Sequence, residues 1–195
     1  LRAFAENVFH VGGPGAGHTI KLLNNFIAQA ICTATAEAFA VGQRSGIELK
    51  ALVDLVAVGP VNSGLFQAMA KTLQGDLGGL KFALDNARKD VRYYTHLAEG
   101  LAIPTVMGEA VHQSLALACA LGHGQKFVPS LVEAQEQLTG ARIVPRLEPV
   151  QRLARIAPGS AVGPGDALEQ TAALVRVQRR ELHIAESLSG LFPEC

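Results

Sequence analysis

Lys21 and Asn25 are the two residues of this sequence whose types and spacing point most directly to chemistry. They are four positions apart at the start of a predicted helix, so both side chains leave the same helical face. An amine can exchange a proton with a substrate oxygen, and a neighbouring amide can orient a hydroxyl or carboxylate group. A helix N-terminus and partial burial in a cleft would both favour the neutral amine. Considered alone, Lys21 is more often a solvated surface lysine, and Asn25 is equally often a residue that bridges backbone groups.

A glycine-rich turn, GGPGAG at residues 12 to 17, lies directly before this pair. Its glycines permit positive φ angles, and Pro14 fixes the turn between them. Such a turn before a helix binds phosphate in dinucleotide-binding proteins, or acts as a hinge between domains. The helical pattern continues to Ser45 and does not give way to a second strand, which favours the hinge.

The spacing Gly-x-x-Gly-x-Gly-x-x-x-Lys-x-x-x-Asn, from Gly12 to Asn25, resembles the motif that opens the C-terminal domain of β-hydroxyacid dehydrogenases, relatives of 3-hydroxyisobutyrate dehydrogenase. The resemblance extends from about Leu1 to Gly140. It implies that Lys21 is the catalytic acid/base and that Asn25 binds substrate. It also implies NAD or NADP as cofactor and a small hydroxy acid or semialdehyde as substrate.

Two further segments offer site residues. FALDNARKD resembles the family's Phe-x6-Lys-Asp segment, which implies that Phe82 and Lys89 face the cofactor, although one extra residue follows Asp76. The alternative is a surface Lys89 paired with Asp85 four residues earlier. Ser63, in GPVNSG, is a candidate substrate contact, and an N-terminal helix residue is the favoured alternative.

The elements that position these residues are predicted to be helices. The longest runs from Ala16 to about Ser45, roughly 40 Å at 1.5 Å per residue, and apolar side chains surround most of its circumference. Shorter helical patterns cover residues 48–58, 62–74, 79–99, 104–121 and 126–139. The sequence therefore predicts an all-α, multi-helical bundle around one long central helix. By the resemblance, this bundle is similar to the C-terminal domain of 6-phosphogluconate dehydrogenase relatives.

The predicted domain organisation has three parts. Residues 1–14 are expected to hold an end strand, at Asn7 to Val11, and a hinge from a missing dinucleotide-binding domain. Residues 15–140 are expected to be the all-α dehydrogenase C-terminal domain, and residues 141–195 a helical tail of open role, with helices near 148–156 and 165–190. A first residue of Leu1 suggests a piece of a longer protein. The isolated chain is expected to be inactive without the dinucleotide-binding domain.

Composition argues against several classes of partner. The 195 residues carry 17 basic and 17 acidic side chains, and no basic block is interleaved with aromatic residues, so nucleic acid and anionic membranes are not expected. No apolar stretch is long enough to span a bilayer. Cys32, Cys119 and Cys195 lack metal-ligand spacing and are expected to be reduced thiols of a cytoplasmic protein. His96 and His112 are interpreted as packing or surface residues, and no metal site is predicted.

The predicted function is reversible oxidation of a 3-hydroxy acid, or reduction of the matching semialdehyde, by NAD or NADP. A homodimer is expected, because the family's long first helix packs across a dimer and its apolar circumference favours a partner surface. Two alternatives remain: a non-catalytic helical dimerisation module derived from the same family, and a related reductase acting on imines.

Overall fold

A computed structural model of the protein describes residues 6–145. Its α-helices are α1 (Ala16–Arg44), α2 (Leu49–Ala57), α3 (Gly64–Ala70), α4 (Leu84–Gly100), α5 (Val106–Ala118) and α6 (Leu131–Thr139). Short 3-10 turns at Lys71–Gln74 and Val128–Ser130 and a π-helical turn at Cys119–His123 join them. Between residues 6 and 145 no strand forms, and a single antiparallel bridge joins Ala83 to Phe127.

Helix α1 begins directly after the glycine turn. Gly12 and Gly15 have φ angles of 125° and 90°, in the region that side chains other than glycine rarely adopt. The predicted helix from Ala16 to about Ser45 is confirmed. The strand predicted at Asn7–Val11 is wrong, because alternating side chains give a strand only where another strand satisfies its backbone groups, and the described residues offer none.

The C-terminal half of α1 forms the centre of the core. Cys32, Ala36 and Phe39 are buried there, and α1 contacts each of α2 to α6. The N-terminal half is different, because Ile20, Leu23 and Ile27 are exposed along one face. Burial around the whole circumference was expected, but the second half of the helix also keeps an exposed side, with Ala34, Ala38 and Val41 on it.

Helix α4 starts five residues later than the predicted position 79 because its preceding segment makes long-range backbone bonds. The backbone N–H of Leu84 donates to the carbonyl of Lys126, and the N–H of Val128 donates to the carbonyl of Phe82, each at 2.9 Å. These bonds hold residues 82–84 extended against residues 126–128. A local helical pattern does not reveal such pairing, which joins segments far apart in sequence.

An aromatic stack fixes the register between α1 and α4. The rings of Phe26 and Tyr94 lie parallel, with centroids 4.2 Å apart and planes inclined by 3°. Tyr94 is one turn after Asp90 on α4, so both face α1. Stacked rings contribute roughly 0.5–1.5 kcal/mol beyond their buried area. The stack therefore brings Asp90 against the N-terminal half of α1.

The remaining predicted helices are confirmed with shifts of a few residues at their ends. At the end of α5, Gly122 has a φ of 91° inside the π-helical turn. No helix within residues 6–145 has the length and apolar character needed to cross a bilayer. The tail helices predicted at 148–156 and 165–190 lie outside the described residues.

Candidate functional site

The site is organised around the carboxylate of Asp90. Lys21 Nζ and Asn25 Nδ2 both donate to Asp90 Oδ2, each at 2.6 Å, from one face of α1. The Asp90 side chain is 3% exposed and the Lys21 side chain 49% exposed. A buried carboxylate needs such donors, because burial without a partner is strongly unfavourable. The four-residue spacing of Lys21 and Asn25 therefore places an amine and an amide on one anion.

This carboxylate changes the surroundings expected for Lys21. Sequence reasoning considered only the helix N-terminus and partial burial, which both favour a neutral amine. The structure instead gives the amine a carboxylate partner and leaves about half of its side chain in water. Asp90 is thus an ionic partner that sequence reasoning did not include.

The second oxygen of Asp90 is less well satisfied. Asp90 Oδ1 is buried without a hydrogen-bond partner, and the Nζ of the half-exposed Lys89 lies 3.9 Å away from it. The alternative pairing of Lys89 with Asp85 does not form. Asp85 instead accepts a hydrogen bond from Gln125 Nε2 at 2.8 Å and lies 4.0 Å from Arg88 Nε. Lys89 is thus associated with the same carboxylate as Lys21.

A cavity of about 420 Å³ adjoins these groups. It lies between the N-terminal half of α1, the start of α3 and the segment before α4, and it brings Asn25 and Phe82 onto a common surface. Lys21 is one helical turn before Asn25. A volume in this range accommodates a small organic molecule. The lining residues are Asn24, Asn25, Ile27, Ala28, Gln29, Leu65, Leu80 and Phe82.

Ser63 is not among the residues that line this cavity. Its hydroxyl accepts a hydrogen bond from the backbone N–H of Phe66 at 3.1 Å, which makes it the N-cap of α3. This is the alternative favoured from sequence, and it satisfies one of the free donors at the helix start. A substrate contact for Ser63 stays a prediction without support from this arrangement.

Sequence reasoning missed two residues of the site. Asp90 follows Lys89 in the Phe-x6-Lys-Asp segment, so the signal was present, but no role was assigned to it. Gln29 is four residues after Asn25 and extends the same face of α1 by one turn. The spacing that selected Lys21 and Asn25 would have selected Gln29 as well.

The cysteines within the described residues are not suited to nucleophilic chemistry. Burial raises the pKa of the Cys32 thiol to about 12. Burial and, after it, a hydrogen bond to Asp85 raise the pKa of Cys119 to about 11. Both thiols are free and protonated at neutral pH. Among residues 6–145 no three histidine, cysteine or acidic side chains come together as a metal site.

Comparison with known proteins gives the family. A family model described as the NAD-binding part of NADP-dependent 3-hydroxyisobutyrate dehydrogenase matches residues 15–134. The chain belongs to the 3-hydroxyisobutyrate dehydrogenase family. This family consists of NAD(P)-dependent 3-hydroxyacid dehydrogenases, which are oxidoreductases, and NAD or NADP is the cofactor.

Individual relatives agree with this family. An L-threonate dehydrogenase of Cupriavidus necator is 33% identical over 126 residues, which are 64% of this chain and 42% of that protein. A 3-sulfolactaldehyde reductase of Escherichia coli is 28% identical over 135 residues, 68% of this chain and 45% of that protein. The chain spans about half the length of the curated relatives it matches.

Solved structures agree as well. The crystal structure of 3-hydroxyisobutyrate dehydrogenase from Salmonella typhimurium matches with a TM-score of 0.63 and 28% identity, over 68% of this chain and 47% of that chain. The Mycobacterium tuberculosis 3-hydroxyisobutyrate dehydrogenase matches with a TM-score of 0.59 and 19% identity, over 66% and 46%. The second likeness supports the fold alone.

The family match corrects two predictions. The sequence was interpreted as a C-terminal all-α domain only, with the NAD-binding domain missing, whereas the matching model is itself described as NAD-binding and covers residues 15–134. The predicted fold class, an all-α bundle of the 6-phosphogluconate dehydrogenase type, is also wrong, because the matching family model is described as NAD-binding and the structural neighbours are full dehydrogenases. Helical periodicity reports local secondary structure. It does not establish which part of a dehydrogenase the helices belong to, or whether they bind NAD.

The residues around the cavity fit the cofactor chemically. NAD and NADP combine flat aromatic rings with phosphate anions. Phe82 offers an aromatic face on the cavity wall, and Lys21 and Lys89 offer two half-exposed basic groups at Asp90. The roles of Phe82 and Lys89 as cofactor contacts, and of Lys21 and Asn25 at the substrate, stay predictions.

Proposed function

We propose that this chain supplies the proton-transfer and substrate-anchoring residues of an NAD(P)-dependent dehydrogenase that interconverts a small 3-hydroxy acid and its semialdehyde. The observation that carries the proposal is the convergence of Lys21 and Asn25 on one buried carboxylate at the edge of the cavity. Family membership supports the reaction class. The names of the relatives, a threonate dehydrogenase and a sulfolactaldehyde reductase among them, support a small anionic substrate.

In this proposal Lys21 is the catalytic acid and base. An ammonium group held by Asp90 is ready to donate a proton to the carbonyl oxygen of a semialdehyde, and the resulting amine takes the proton back from a hydroxyl in the reverse direction. Bound NAD(P) supplies the hydride acceptor or donor, which no side chain of the protein provides. The positive charge of Lys21 also attracts the acid group of the substrate.

Asn25 and Asp90 are proposed to position this amine. Asn25 Nδ2 is committed to Asp90, while its Oδ1 receives only a long contact of 3.4 Å from Asn24 Nδ2. The Asn25 oxygen therefore remains an acceptor for a substrate hydroxyl at the cavity wall. Asp90 is proposed to act by positioning Lys21, because Lys21 and Asn25 both donate to its Oδ2.

The test compares variants of the 195-residue chain with NADH or NADPH and a panel of three- and four-carbon semialdehydes. Replacement of Lys21 by Ala is expected to lower kcat by roughly a hundred- to ten-thousand-fold, because one positioned proton donor contributes about that much. Lys50→Ala is the matched control. Lys50 has the same 2.6 Å contact to a carboxylate, in this case that of Asp54, but lies on α2 outside the cavity lining.

Two outcomes separate the competing functions. Turnover that depends on Lys21 and not on Lys50 supports the dehydrogenase. Binding of the reduced cofactor, measured by its fluorescence, without turnover of any panel member supports the non-catalytic module instead. Equal turnover in both variants contradicts the role of Lys21.

We further propose that the exposed apolar face of α1, made of Ile20, Leu23 and Ile27, packs against a second copy of the chain. The three positions follow the i, i+3, i+7 spacing of one helical face, and all three side chains are exposed. Leu23→Lys is expected to shift the sedimentation coefficient from dimer to monomer. Val41→Lys, at an exposed position near the other end of α1, is the control, and a monomeric wild-type protein contradicts the proposal.

A further inference from the structure

Gln29 is a buried polar residue that the proposed reaction does not use. Its side chain is 2% exposed, its Oε1 has no hydrogen-bond partner, and it forms part of the cavity lining. Buried amides are nearly always hydrogen-bonded, so an unpaired one needs a physical reason. A ligand group in the cavity would provide the missing partner.

The position of Gln29 relative to the candidate catalytic residues is fixed by α1. Lys21, Asn25 and Gln29 are spaced by four residues, so they lie along one face of the helix, each about 6 Å beyond the last at 1.5 Å per residue. A four-carbon hydroxy acid anchored at Lys21 and Asn25 is about long enough for its far end to reach Gln29.

We infer that Gln29 determines substrate specificity by hydrogen bonding to a hydroxyl group carried beyond the reacting carbon. This inference rests on the proposed function, since it takes the acid end of the substrate to lie at Lys21 and Asn25. The substrate class is then a short polyhydroxy acid that reacts at a secondary alcohol and gives the matching keto acid, and a 3-hydroxy acid that ends in a plain alkyl group is the disfavoured alternative.

A hydroxyl is the group that suits a glutamine amide in either orientation. Rotation of the amide exchanges the positions of its oxygen and nitrogen, so either an acceptor or a donor can face the cavity. A hydroxyl donates to the first and accepts from the second, whereas a methyl group satisfies neither. A site built to pair with a hydroxyl rejects the analogue that lacks it, because the protein group is then left unpaired.

The charges around the cavity favour a neutral hydroxyl over a second carboxylate at this end. None of the eight lining residues is charged, and Leu65 and Leu80 are aliphatic. The nearby cations of the site, Lys21 and Lys89, are both associated with Asp90. A second carboxylate near Gln29 would lose its hydration without a counter-ion, which is costly.

The test measures the binding of two probes to the 195-residue chain by titration calorimetry. The probes are 3,4-dihydroxybutanoate and 3-hydroxybutanoate, which differ only in the terminal hydroxyl. The wild-type chain is expected to bind the first probe about fivefold more tightly, because a factor of this size corresponds to one neutral hydrogen bond. Gln29→Met, nearly the same shape without an amide, is expected to abolish this preference. Gln29→Leu serves as a second variant should the first fold poorly.

The control is Thr33→Val, which removes another unpaired buried polar atom from α1 outside the cavity lining. It is expected to keep the wild-type preference. Equal binding of both probes by the wild-type chain, or an unchanged preference in Gln29→Met, overturns the inference and leaves the proposed function standing. Binding of neither probe also overturns the inference, whereas the proposed function fails only if turnover does not depend on Lys21.

Discussion

The pairing of Lys21 with Asp90 makes a quantitative prediction about stability. The perturbations are Lys21→Met, Asp90→Asn and the two combined. Lys21→Met leaves a buried carboxylate with Asn25 as its remaining donor, while Asp90→Asn keeps the side-chain shape and removes the charge. The difference between the double variant and the sum of the single variants gives the coupling free energy of the pair.

The expected coupling follows from distance and burial. At the observed separation of 2.6 Å, two unit charges attract by about 1.6 kcal/mol at a dielectric constant of 80 and about 6 kcal/mol at 20. Desolvation of Asp90 offsets part of this, and water screens the half-exposed Lys21. Measured couplings of exposed pairs are about 0.2–1 kcal/mol, and hydrogen bonds to charged groups contribute about 1.5–3 kcal/mol. We expect a coupling of about 2 kcal/mol.

The assay is urea unfolding followed by the helical circular dichroism signal. The control cycle uses Lys50 and Asp54, whose charged atoms are also 2.6 Å apart but whose side chains are 73% and 62% exposed. The coupling of Lys50 and Asp54 is expected to be several-fold smaller, because the two pairs have the same distance and differ in burial. Equal couplings in the two cycles, or a Lys21–Asp90 coupling below about 0.5 kcal/mol, would refute the reasoning.

Three further predictions concern other parts of the chain. Gly79→Ala is expected to lower the free energy of unfolding by about 1–3 kcal/mol, because its new Cβ would lie 2.6 Å from the carbonyl oxygen of Ala68. Gly64→Ala, at the start of α3 with open space around it, should leave the urea midpoint unchanged or raise it slightly. Cys32 should resist alkylation at mildly alkaline pH in the native protein and react in denaturant, and mass spectrometry of the labelled peptide would reveal the contrary result. Burial lowers the pKa of His112, so as the pH falls the unfolded chain takes up a proton on this residue before the folded chain does, and stability is lost below pH 6.5. His112→Gln should therefore flatten that part of the curve of stability against pH. An unchanged curve would contradict the role given to His112.

The part of the site that sequence could predict depends on short-range geometry. The start of α1 after the glycine turn and the common face of Lys21 and Asn25 both follow from a helical period of 3.6 residues. The same argument would have extended to Gln29. These predictions needed no knowledge of how the helices pack.

The part that sequence could not predict depends on contacts between distant segments. Asp90 is 69 residues from Lys21, and only the register of α4 against α1 brings them together. The late start of α4 has a similar cause, because residues 82–84 pair with residues 126–128. Recognition of the motif supplied the family, but the position of the matched segment within the family's architecture was assigned wrongly.

The parallel rings of Phe26 and Tyr94 give the protein an optical probe of its own. The sequence has no tryptophan and two tyrosines, so near-ultraviolet emission comes mainly from tyrosine and is not masked by energy transfer to indole. Tyr94 lies one turn from Asp90, and its ring is stacked where α1 meets α4. With Tyr93 replaced by Phe, the emission of the remaining tyrosine would report separation of the two helices when a ligand enters, without an attached dye.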